Sequence, residues 1–426
     1  MSTNGAVGPG AVDVVVVGGG IAGASAASYL AMNGLSVVML EKQEAYTDIV
    51  RGEWIAPWGM REAQLLGVED AFGLGGAWEI REWTQWDETT DDPHTAETVD
   101  MTRFVPGVGG PLSFPHHTVC ELMAVQAVDY GATVVMGVQK VHVTKAEKPG
   151  DLPAVRFTTA DGADHELRPR MVIGATGRGC TIGRQIGVSM ATSVHHWGGG
   201  LRVEGLHDWP MDVQAMGTEG EKMFMVFPQG DGAARLYINF PTYNKHRYKG
   251  AGGVERFIAD FELDCLPDRG KSVYAAATPI GPLKVWPSVA MFPEQPIVTD
   301  GVLLVGDEAG NADTVLGTGL SCSLRDTRTV CEILVESQDW SPKAFEPYLA
   351  ERKFRMERLH FGASIIAKLH CEFGPEAADR RRRVRELMAD NFAAQVTGLL
   401  NMVPPEEVPD FGFSEFFAER LFREKV

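Results

Sequence analysis

Cysteine is scarce in this 426-residue sequence and has no spacing typical of a disulfide framework or a zinc site. No CxxC pair occurs among the six cysteines, Cys120, Cys180, Cys265, Cys322, Cys331 and Cys371. Scattered single cysteines are typical of reduced thiols. The pair His195-His196 also lacks acidic or thiol partners at ligand spacing, so we predict no bound metal.

Positive charge is scarce as well. Lysine and arginine number 39 against 57 aspartates and glutamates, and the formal net charge is -18. Because a nucleic-acid partner requires a basic surface, we predict none. The one concentrated basic run, residues 380–383, lies among acidic residues and predicts a solvated helix face.

Long apolar runs are absent. No stretch approaches the ~20 residues that span a bilayer, so no membrane span is expected. Residues 1–11 lack the basic start and the apolar run of a signal peptide. These observations predict a soluble, cytoplasmic protein.

The chain opens with an alternation typical of a parallel sheet. Residues 12–17, 21–33 and 36–40 predict a strand, a helix and a second strand. A further helix is predicted over residues 122–130, and short mixed strands from about residue 191 predict an antiparallel sheet. The other predicted elements are strands at 133–136, 154–159, 165–167, 171–174, 199–203, 222–227, 234–240 and 302–305, and a helix at 320–336.

A glycine-rich motif follows the first strand, with the residues Gly18, Gly19, Gly20, Ile21, Ala22 and Gly23. Gly18 permits a tight turn, Gly20 lets backbone amides approach a pyrophosphate, and Gly23 lets the helix pack closely on the strand. Glu41 ends the second strand, where it would accept hydrogen bonds from ribose hydroxyls, and Lys42 follows it. With the helix N-terminus at the diphosphate, this pattern predicts a dinucleotide site.

A second motif, about 290 residues later, distinguishes which dinucleotide is bound. It begins Val302-Leu303-Leu304-Val305-Gly306-Asp307-Glu308-Ala309-Gly310 and continues through Gly317-Thr318-Gly319-Leu320 into a helix with Arg325-Asp326. This segment resembles the Gly-Asp segment of FAD-dependent aromatic hydroxylases, the para-hydroxybenzoate-hydroxylase-like superfamily, although Thr314 and Thr318 stand where relatives often have Pro and Gln. The resemblance implies that Asp307 binds the ribityl chain of FAD. It also implies that the next helix points its N-terminus at the flavin pyrimidine, where a helix dipole stabilises reduced flavin.

A third motif, Ile173-Gly174-Ala175-Thr176-Gly177-Arg178-Gly179-Cys180, is similar to the family's GADGxxS segment. In the family this segment lies by the diphosphate and contributes to handling of the nicotinamide coenzyme. Here Thr176 replaces the Asp and Cys180 replaces the Ser. The resemblance implies NAD(P)H as electron donor, either directly or, because that carboxylate is missing, through a flavin reductase partner. Cys180 is interpreted as a small packed residue, with a reactive thiol as the alternative.

Three further residues match weaker positions of the family. The resemblance implies that Arg51 lies near the cofactor phosphates or ribityl chain, with a surface salt bridge as the alternative. His116, placed ahead of a helix where relatives often have Arg, would donate one hydrogen bond to the cofactor. Val141 would offer a backbone contact to adenine or be an ordinary core valine.

Together the resemblance and the element pattern predict an α/β fold. A Rossmann-like FAD-binding domain is built from discontinuous segments, an antiparallel-sheet substrate domain is inserted, and the C-terminal region is helical. The predicted boundaries are 1–78, 113–188 and 287–340 for the FAD-binding domain, 79–112 and 189–286 for the substrate domain, and 341–426 for the helical region.

The resemblance implies an FAD-dependent monooxygenase. In this superfamily reduced FAD reacts with molecular oxygen, and the flavin hydroperoxide hydroxylates or epoxidises an electron-rich carbon in a dry cavity. We therefore predict an oxidoreductase acting on an aromatic or polyene-like small molecule, without assigning a catalytic residue. His195 or His196 would be suited to deprotonate a phenol.

Three alternatives stay open. A flavin-dependent reductase of the geranylgeranyl-reductase type also fits the segment 306–310. A flavin-dependent halogenase is disfavoured, because that family uses a lysine and a GWxWxIP segment, whereas this chain has no lysine between Lys42 and Lys140 and no such segment. A non-catalytic flavin-binding protein is disfavoured by the intact Gly-Asp motif.

The substrate pocket is expected between the flavin and the inserted sheet. Trp54, Trp58, Met225 and Phe227 are its candidate walls, with plain core positions as the alternative. The C-terminal segment carries apolar surface suited to docking on the body or on a second subunit, at Phe411, Phe413, Phe416, Phe417 and Phe422. A monomer or a homodimer is therefore expected.

Overall fold

The computed structural model describes residues 12–148 and 151–422. Residues 1–11, for which we predicted no signal peptide, lie outside the described part. The strands are β1 (Val14–Val17), β2 (Val37–Leu40), β3 (Trp54–Ile55), β4 (Trp78–Glu79), β5 (Glu82–Gln85), β6 (Thr98–Asp100), β7 (Leu112–Ser113), β8 (Thr133–Val135), β9 (Lys140–Thr144), β10 (Ala154–Thr158), β11 (Asp164–Leu167), β12 (Met171–Gly174), β13 (Met190–Glu204), β14 (Val213–Glu219), β15 (Lys222–Gly230), β16 (Ala233–Pro241), β17 (Thr278–Pro293), β18 (Val298–Thr299) and β19 (Val302–Leu304). The helices are α1 (Ile21–Met32), α2 (Pro57–Leu66), α3 (Asp70–Leu74), α4 (His116–Asp129), α5 (Thr181–Gln185), α6 (Gly253–Ala259), α7 (Pro267–Ala276), α8 (Gly319–Glu336), α9 (Glu346–His370), α10 (Pro375–Asp390), α11 (Phe392–Gln395) and α12 (Glu415–Phe422).

A six-stranded sheet in the order β18-β19-β12-β1-β2-β8 forms the first layer. Its strands are parallel except β18, which runs antiparallel to β19. The central strand β1 is four buried valines, as expected where helices cover both faces of a parallel sheet. Its strands come from three separated stretches of the chain, which confirms the predicted discontinuous α/β fold. The exact domain boundaries stay a prediction.

A seven-stranded sheet in the order β17-β13-β16-β15-β14-β5-β6 forms the second layer. Its pairs are antiparallel, as predicted, except that β14 and β5 run parallel, with Val213 opposite Glu82. That exception arises because β5 belongs to an earlier segment that joins the sheet beside β14. One face packs on α6 through Leu201, Phe224 and Ile238 in a core of its own.

Two sequence expectations need correction. The helix predicted from residue 122 begins at His116, directly after the extended residue Pro115. The early residues of α4 are weak helix formers, but burial of Val119 and Cys120 outweighs that propensity.

Half of the basic run on α10 is not a solvated face either, whereas Arg382 is exposed, as predicted. Arg380 and Arg381 are only 7% and 4% exposed, because their guanidinium groups meet carboxylates from elsewhere in the fold. Arg381 lies 3.0 Å from Asp87, in the loop after β5, and Arg380 binds Glu372.

Helix α9, the first of the C-terminal region, contacts the first layer through a buried ion cluster. The Asp326 carboxylate on α8 accepts hydrogen bonds from Arg352 at 3.0 Å, from Arg355 at 2.6 Å and from the Gly306 amide at 3.0 Å. The two guanidinium groups hold the pKa of Asp326 below its usual value despite the burial that raises it. No helix among residues 12–148 and 151–422 is long and apolar enough to cross a membrane.

Replacing Asp326 should destabilise the fold strongly. In Asp326→Ala two buried guanidinium groups lose their shared counter-charge, which typically costs about 3–5 kcal/mol of unfolding free energy. Urea unfolding followed by tryptophan fluorescence measures it. The control is Glu357→Ala, which breaks the exposed pair Lys353–Glu357 and should change stability by less than about 0.5 kcal/mol. Equal unfolding midpoints for the two variants would contradict the role given to Asp326.

Candidate flavin site

The glycine-rich turn between β1 and α1 leaves one side open. A Cβ at Gly18 (φ +109°) would lie 2.3 Å from the carbonyl oxygen of Ala175, and one at Gly23 would lie 1.8 Å from that of Gly18. A Cβ at Gly20 would meet no atom within 4 Å. Gly20 precedes α1 without a side-chain cap, so the positive end of the helix faces this open space, as a diphosphate requires.

Glu41 lies beside the same turn. Its buried carboxylate accepts hydrogen bonds from the amides of Gly19 at 2.6 Å and Gln43 at 2.9 Å. The Tyr46 hydroxyl donates to the Gly19 carbonyl at 2.7 Å. Lys42 is exposed. Glu41 is therefore held in place by backbone amides, and its other lone pairs are available for hydroxyl groups of a nucleotide ribose.

The second and third motifs are joined by Glu308, a residue to which the sequence pattern assigned no role. Its buried carboxylate accepts hydrogen bonds from the amides of Thr176, Ile182 at 2.7 Å and Gly183 at 3.1 Å. Burial raises the pKa of Glu308, and these backbone donors oppose that rise. The Thr176 hydroxyl accepts from the Thr181 amide at 3.0 Å, so this threonine organises the turn where the family carries Asp.

Asp307 faces the cleft between these motifs. The preceding residue, Gly306, has φ +61°, and a Cβ at Gly319 would lie 3.9 Å from Asp307 Oδ1. Burial raises the pKa of Asp307, while the charges of Arg178, Arg352 and more weakly Arg51 lower it. Because this half-buried carboxylate accepts no hydrogen bond from the described residues, it is available to a ligand.

The N-terminus of α8 closes the cleft opposite the glycine-rich turn. This 18-residue helix begins at Gly319 without a side-chain cap. Gly317 (φ +74°) packs under the Trp54 ring, and the Leu320 side chain packs on Gly52. The loop therefore presents backbone amides between two apolar contacts, an arrangement suited to the flat edge of a heteroaromatic ring.

The three weaker candidates differ in placement. Arg51 is exposed at the cleft, where its charge acts on Asp307. His116 uses Nδ1–H to donate to the Gly52 carbonyl at 2.7 Å, and burial lowers its pKa to about 4. The proton of the neutral ring is engaged by Gly52, and the contact of His116 to a cofactor stays a prediction. Val141 lies in β9, where its carbonyl accepts from Gln185, and its contact to adenine stays a prediction.

Cys180 is buried at φ +45°, and burial raises its thiol pKa to about 11. The thiol is therefore protonated at neutral pH, in agreement with a packed residue and not with a reactive one.

Four aromatic rings form a row from the flavin-site loop to the second sheet. The distances between ring centroids are 6.4 Å for Trp54–Phe227, 5.5 Å for Phe227–Tyr237 and 6.2 Å for Tyr237–Trp286. Met225 pairs with Tyr237 across β15 and β16 and shares this face of the sheet. These residues line the face of the second sheet opposite its α6 core.

Trp58 is placed differently from the other predicted wall residues. It is 1% exposed, and its indole N–H donates to the Asn401 carbonyl. Its cluster includes Trp54, and Phe227 packs against that cluster. Trp58 itself is a core residue of α2 that contacts the C-terminal region.

Arg235 connects the aromatic row to the segment that carries Arg51. Its guanidinium is 2% exposed and binds the carboxylates of Glu53 and Asp48. The Tyr237 hydroxyl donates to Glu53 at 3.0 Å. Sequence reasoning missed this group, because its members are about 180 residues apart.

A bulky side chain at Gly20 should block the dinucleotide and spare the fold. Gly20→Val points its side chain into open space, whereas Gly23→Ala collides with the Gly18 carbonyl. We expect Gly20→Val to keep the wild-type melting temperature of the flavin-free protein and to bind FAD at least tenfold more weakly. Gly23→Ala should lower both the melting temperature and the FAD affinity. Wild-type FAD affinity in Gly20→Val, measured by quenching of flavin fluorescence, would contradict the assignment.

Asp307→Ala should release flavin, because it removes the free carboxylate beside the α8 N-terminus. Loss of a hydrogen bond to a charged group is worth about 1.5–3 kcal/mol, which corresponds to a roughly tenfold or greater fall in affinity. The matched control is the exposed Asp300→Ala. If both variants purify with the same ratio of absorbance at 450 and 280 nm, Asp307 does not bind the cofactor.

Comparison with known proteins agrees with this geometry. The sequence profile of the family described as FAD binding domain matches residues 11–360. The chain is 28% identical over 413 residues to digeranylgeranylglycerophospholipid reductase 2 of Methanopyrus kandleri, covering 93% of both chains. It is 22% identical over 384 residues to squalene epoxidase 2 of Arabidopsis thaliana, covering 89% of this chain and 63% of the relative.

The fold is also that of p-nitrophenol 4-monooxygenase from Pseudomonas putida, with a TM-score of 0.73 and 16% identity over 92% of this chain and 96% of the other. Because the profile match spans most of the chain, the protein belongs to the FAD binding domain family, and it is a flavin-dependent oxidoreductase of the aromatic-hydroxylase-like superfamily.

Proposed function

We propose that this protein is an FAD-dependent monooxygenase that oxygenates an aromatic or polyene-like small molecule. The observation that carries the proposal is the row of four aromatic rings. The row begins at Trp54, which packs on Gly317, and continues through Phe227 to the second sheet. Such a row offers flat apolar faces beside the flavin site, as planar or unsaturated substrates require.

The residues around the cleft fit FAD. The open space at Gly20 and the uncapped end of α1 would hold the diphosphate, and Glu41 the adenosine ribose. Asp307 would bind the ribityl chain, and the end of α8 would lie at the pyrimidine edge. When bound, FAD would supply the electron transfer and the reaction with molecular oxygen. The chain contributes orientation, hydrogen bonds and exclusion of water.

The electron donor would be NAD(P)H, used directly or through a flavin reductase. Thr176 holds a turn by accepting from the Thr181 amide and offers no carboxylate to a nicotinamide coenzyme. This arrangement favours neither route. Cytoplasmic location and a monomeric or homodimeric state also stay predictions.

Reduction of a carbon–carbon double bond is the second candidate function. It is favoured by the similarity to the archaeal reductase over 93% of both chains. Both reactions would use the same flavin site and the same apolar pocket, and they differ in whether oxygen enters the product.

Isotope labelling separates the two reactions. Holoprotein supplied with NADH, NADPH and a general flavin reductase is incubated under ¹⁸O₂ with 4-nitrophenol as an aromatic probe and squalene as a polyene probe. We expect one ¹⁸O atom in the product of at least one probe, measured by mass spectrometry. Catalase is added to the reaction and to a control that contains free FAD and the same reductase without the protein. This control excludes oxidation of the probe by released peroxide.

A product that gains two hydrogens and no ¹⁸O would establish the reductase instead. Oxygen consumption without any modified probe would contradict oxygenation of both classes of substrate.

A further inference from the structure

Two tryptophans at the end of the aromatic row have buried indole N–H groups without a hydrogen-bond partner. Trp54 is 9% exposed, and neither its Nε1 nor that of Trp83 is paired with any of the described residues. Elsewhere in the fold, the indole N–H groups of Trp58, Trp209 and Trp340 each donate to a backbone carbonyl. Because an unpaired buried donor costs free energy, these two exceptions require an explanation beyond packing.

Each of the two indoles stands in register with a second unpaired polar group. Gln214 on β14 lies opposite Trp83 on β5, and Ser113 on β7 lies opposite Trp54 on β3. Gln214 and Ser113 are 7% and 0% exposed. Gln214 Oε1 and Ser113 Oγ also have no hydrogen-bond partner in the part of the chain that the structure describes. Since residues directly opposite on neighbouring strands share a face, the four groups form two adjacent pairs.

Both pairs meet at Phe227 on β15. The Trp54 ring stacks on the Phe227 ring, and the sheet β3-β7-β4 packs on β15. Ala215 pairs with Val226 in the α6 core. The next residues along the two strands, Gln214 and Phe227, therefore lie side by side on the opposite face. The unpaired polar groups thus surround one end of the aromatic row.

This end of the row is continuous with the flavin site. The apolar cluster that contains Trp54 is bordered by the half-buried side chains of Trp83, Phe227 and Cys322. Cys322 stands in the first turn of α8, the helix whose N-terminus closes the flavin cleft. A substrate that lies between the flavin and the second sheet would therefore place one end among the unpaired groups.

The charged side chains next to Phe227 neutralise one another. Arg235, which pairs with Phe227 across β16 and β15, binds Glu53 and Asp48. Arg202 lies 3.6 Å from the same Asp48. Two cations thus face two carboxylates in this described group, which leaves no surplus positive charge for an anionic ligand. A buried anion without a counter-charge is costly, so the place favours an uncharged polar group.

We propose that Trp54, Trp83 and Gln214 form a substrate subsite for an uncharged group that both accepts and donates hydrogen bonds, an amide or a hydroxyl. The oxygen of that group has two lone pairs, one for each indole N–H, and its own N–H or O–H donates to Gln214 Oε1. The Ser113 hydroxyl can donate or accept beside them. This inference rests on the proposed oxygenation. It selects aromatic or unsaturated substrates that carry such a group over carboxylates and pure hydrocarbons.

Probes of matched shape test the subsite. 2-Naphthamide accepts and donates, 2-acetylnaphthalene only accepts, 2-naphthoate is an anion, and all three have nearly the same shape. Naphthalene and 2-naphthol complete the series. Dissociation constants are measured by equilibrium dialysis against the oxidised holoprotein. We expect 2-naphthamide or 2-naphthol to bind about tenfold or more tightly than naphthalene, because the hydrocarbon leaves the buried groups unpaired. The tighter of the two identifies the group, and 2-naphthoate should bind more weakly than 2-acetylnaphthalene.

Variants assign the contacts. Trp83→Phe keeps a ring and removes the N–H, so it should weaken 2-naphthamide and 2-acetylnaphthalene about three- to tenfold and leave naphthalene unchanged. Gln214→Met keeps the length and removes the amide oxygen, so it should weaken the donating probes only. The matched control is Trp78→Phe, since the Trp78 indole already donates to the Met211 carbonyl at 2.7 Å. It should keep the wild-type order of affinities. Thermal melting verifies that each variant is folded.

The subsite would be overturned by equal affinities for naphthalene and both donating probes, or by tightest binding of 2-naphthoate. It would also be overturned if Trp83→Phe weakened every probe equally, or if no probe bound saturably. The outcome is separable from that of the labelling experiment. An ¹⁸O-labelled product without the expected order of affinities contradicts the subsite alone, and the expected order without any ¹⁸O incorporation contradicts the oxygenation alone.

Discussion

The buried carboxylate of Asp326 holds the turn on which the rest of the cleft depends. It accepts the Gly306 amide and is itself neutralised by Arg352 and Arg355 from α9. On the far side of the same turn, Glu308 accepts amides from the third motif. An acidic residue buried in this way is stable only if every lone pair finds a donor. Hydrogen bonds on both sides therefore hold the turn, and Asp307 lies between the two residues that make them.

Sequence reasoning located the backbone of the site well, because its signals are local. A strand of four valines followed by glycines and a helix identifies a dinucleotide turn, and a Gly-Asp pair after a second buried strand identifies its counterpart. Packing of Ala22 near Gly306, and of Gly18 against Ala175, brings these distant segments to one cleft. The predicted fold class followed from the same local periodicities.

What sequence reasoning missed depends on contacts between distant residues. Glu308 and Arg235 have no local pattern that marks them, since their partners lie more than 120 and 180 residues away. Arg381 looked solvated because its neighbours in sequence are charged, yet its partner Asp87 comes from another element. The start of α4 was misplaced for a related reason, because burial there outweighs helix propensity.

The family resemblance identifies the cofactor more firmly than the reaction. Relatives with this fold include both reductases and monooxygenases, and the features that hold a flavin are common to them. The reaction type must therefore be set by the second sheet. Side chains of that sheet beside the flavin ring can differ between relatives without changing the residues that hold the flavin. The aromatic row is the part of this molecule in which such differences would act.

The attachment of α9 to Asp326 also has a consequence for biosynthesis. During synthesis the glycine-rich turn leaves the ribosome first. Arg352 and Arg355, which neutralise Asp326, leave the ribosome more than 300 residues later. Until they arrive, the turn that carries Asp307 has an uncompensated charge beneath it and no reason to adopt its final geometry. We therefore expect the nascent chain to reach full flavin affinity only after α9 has been synthesised.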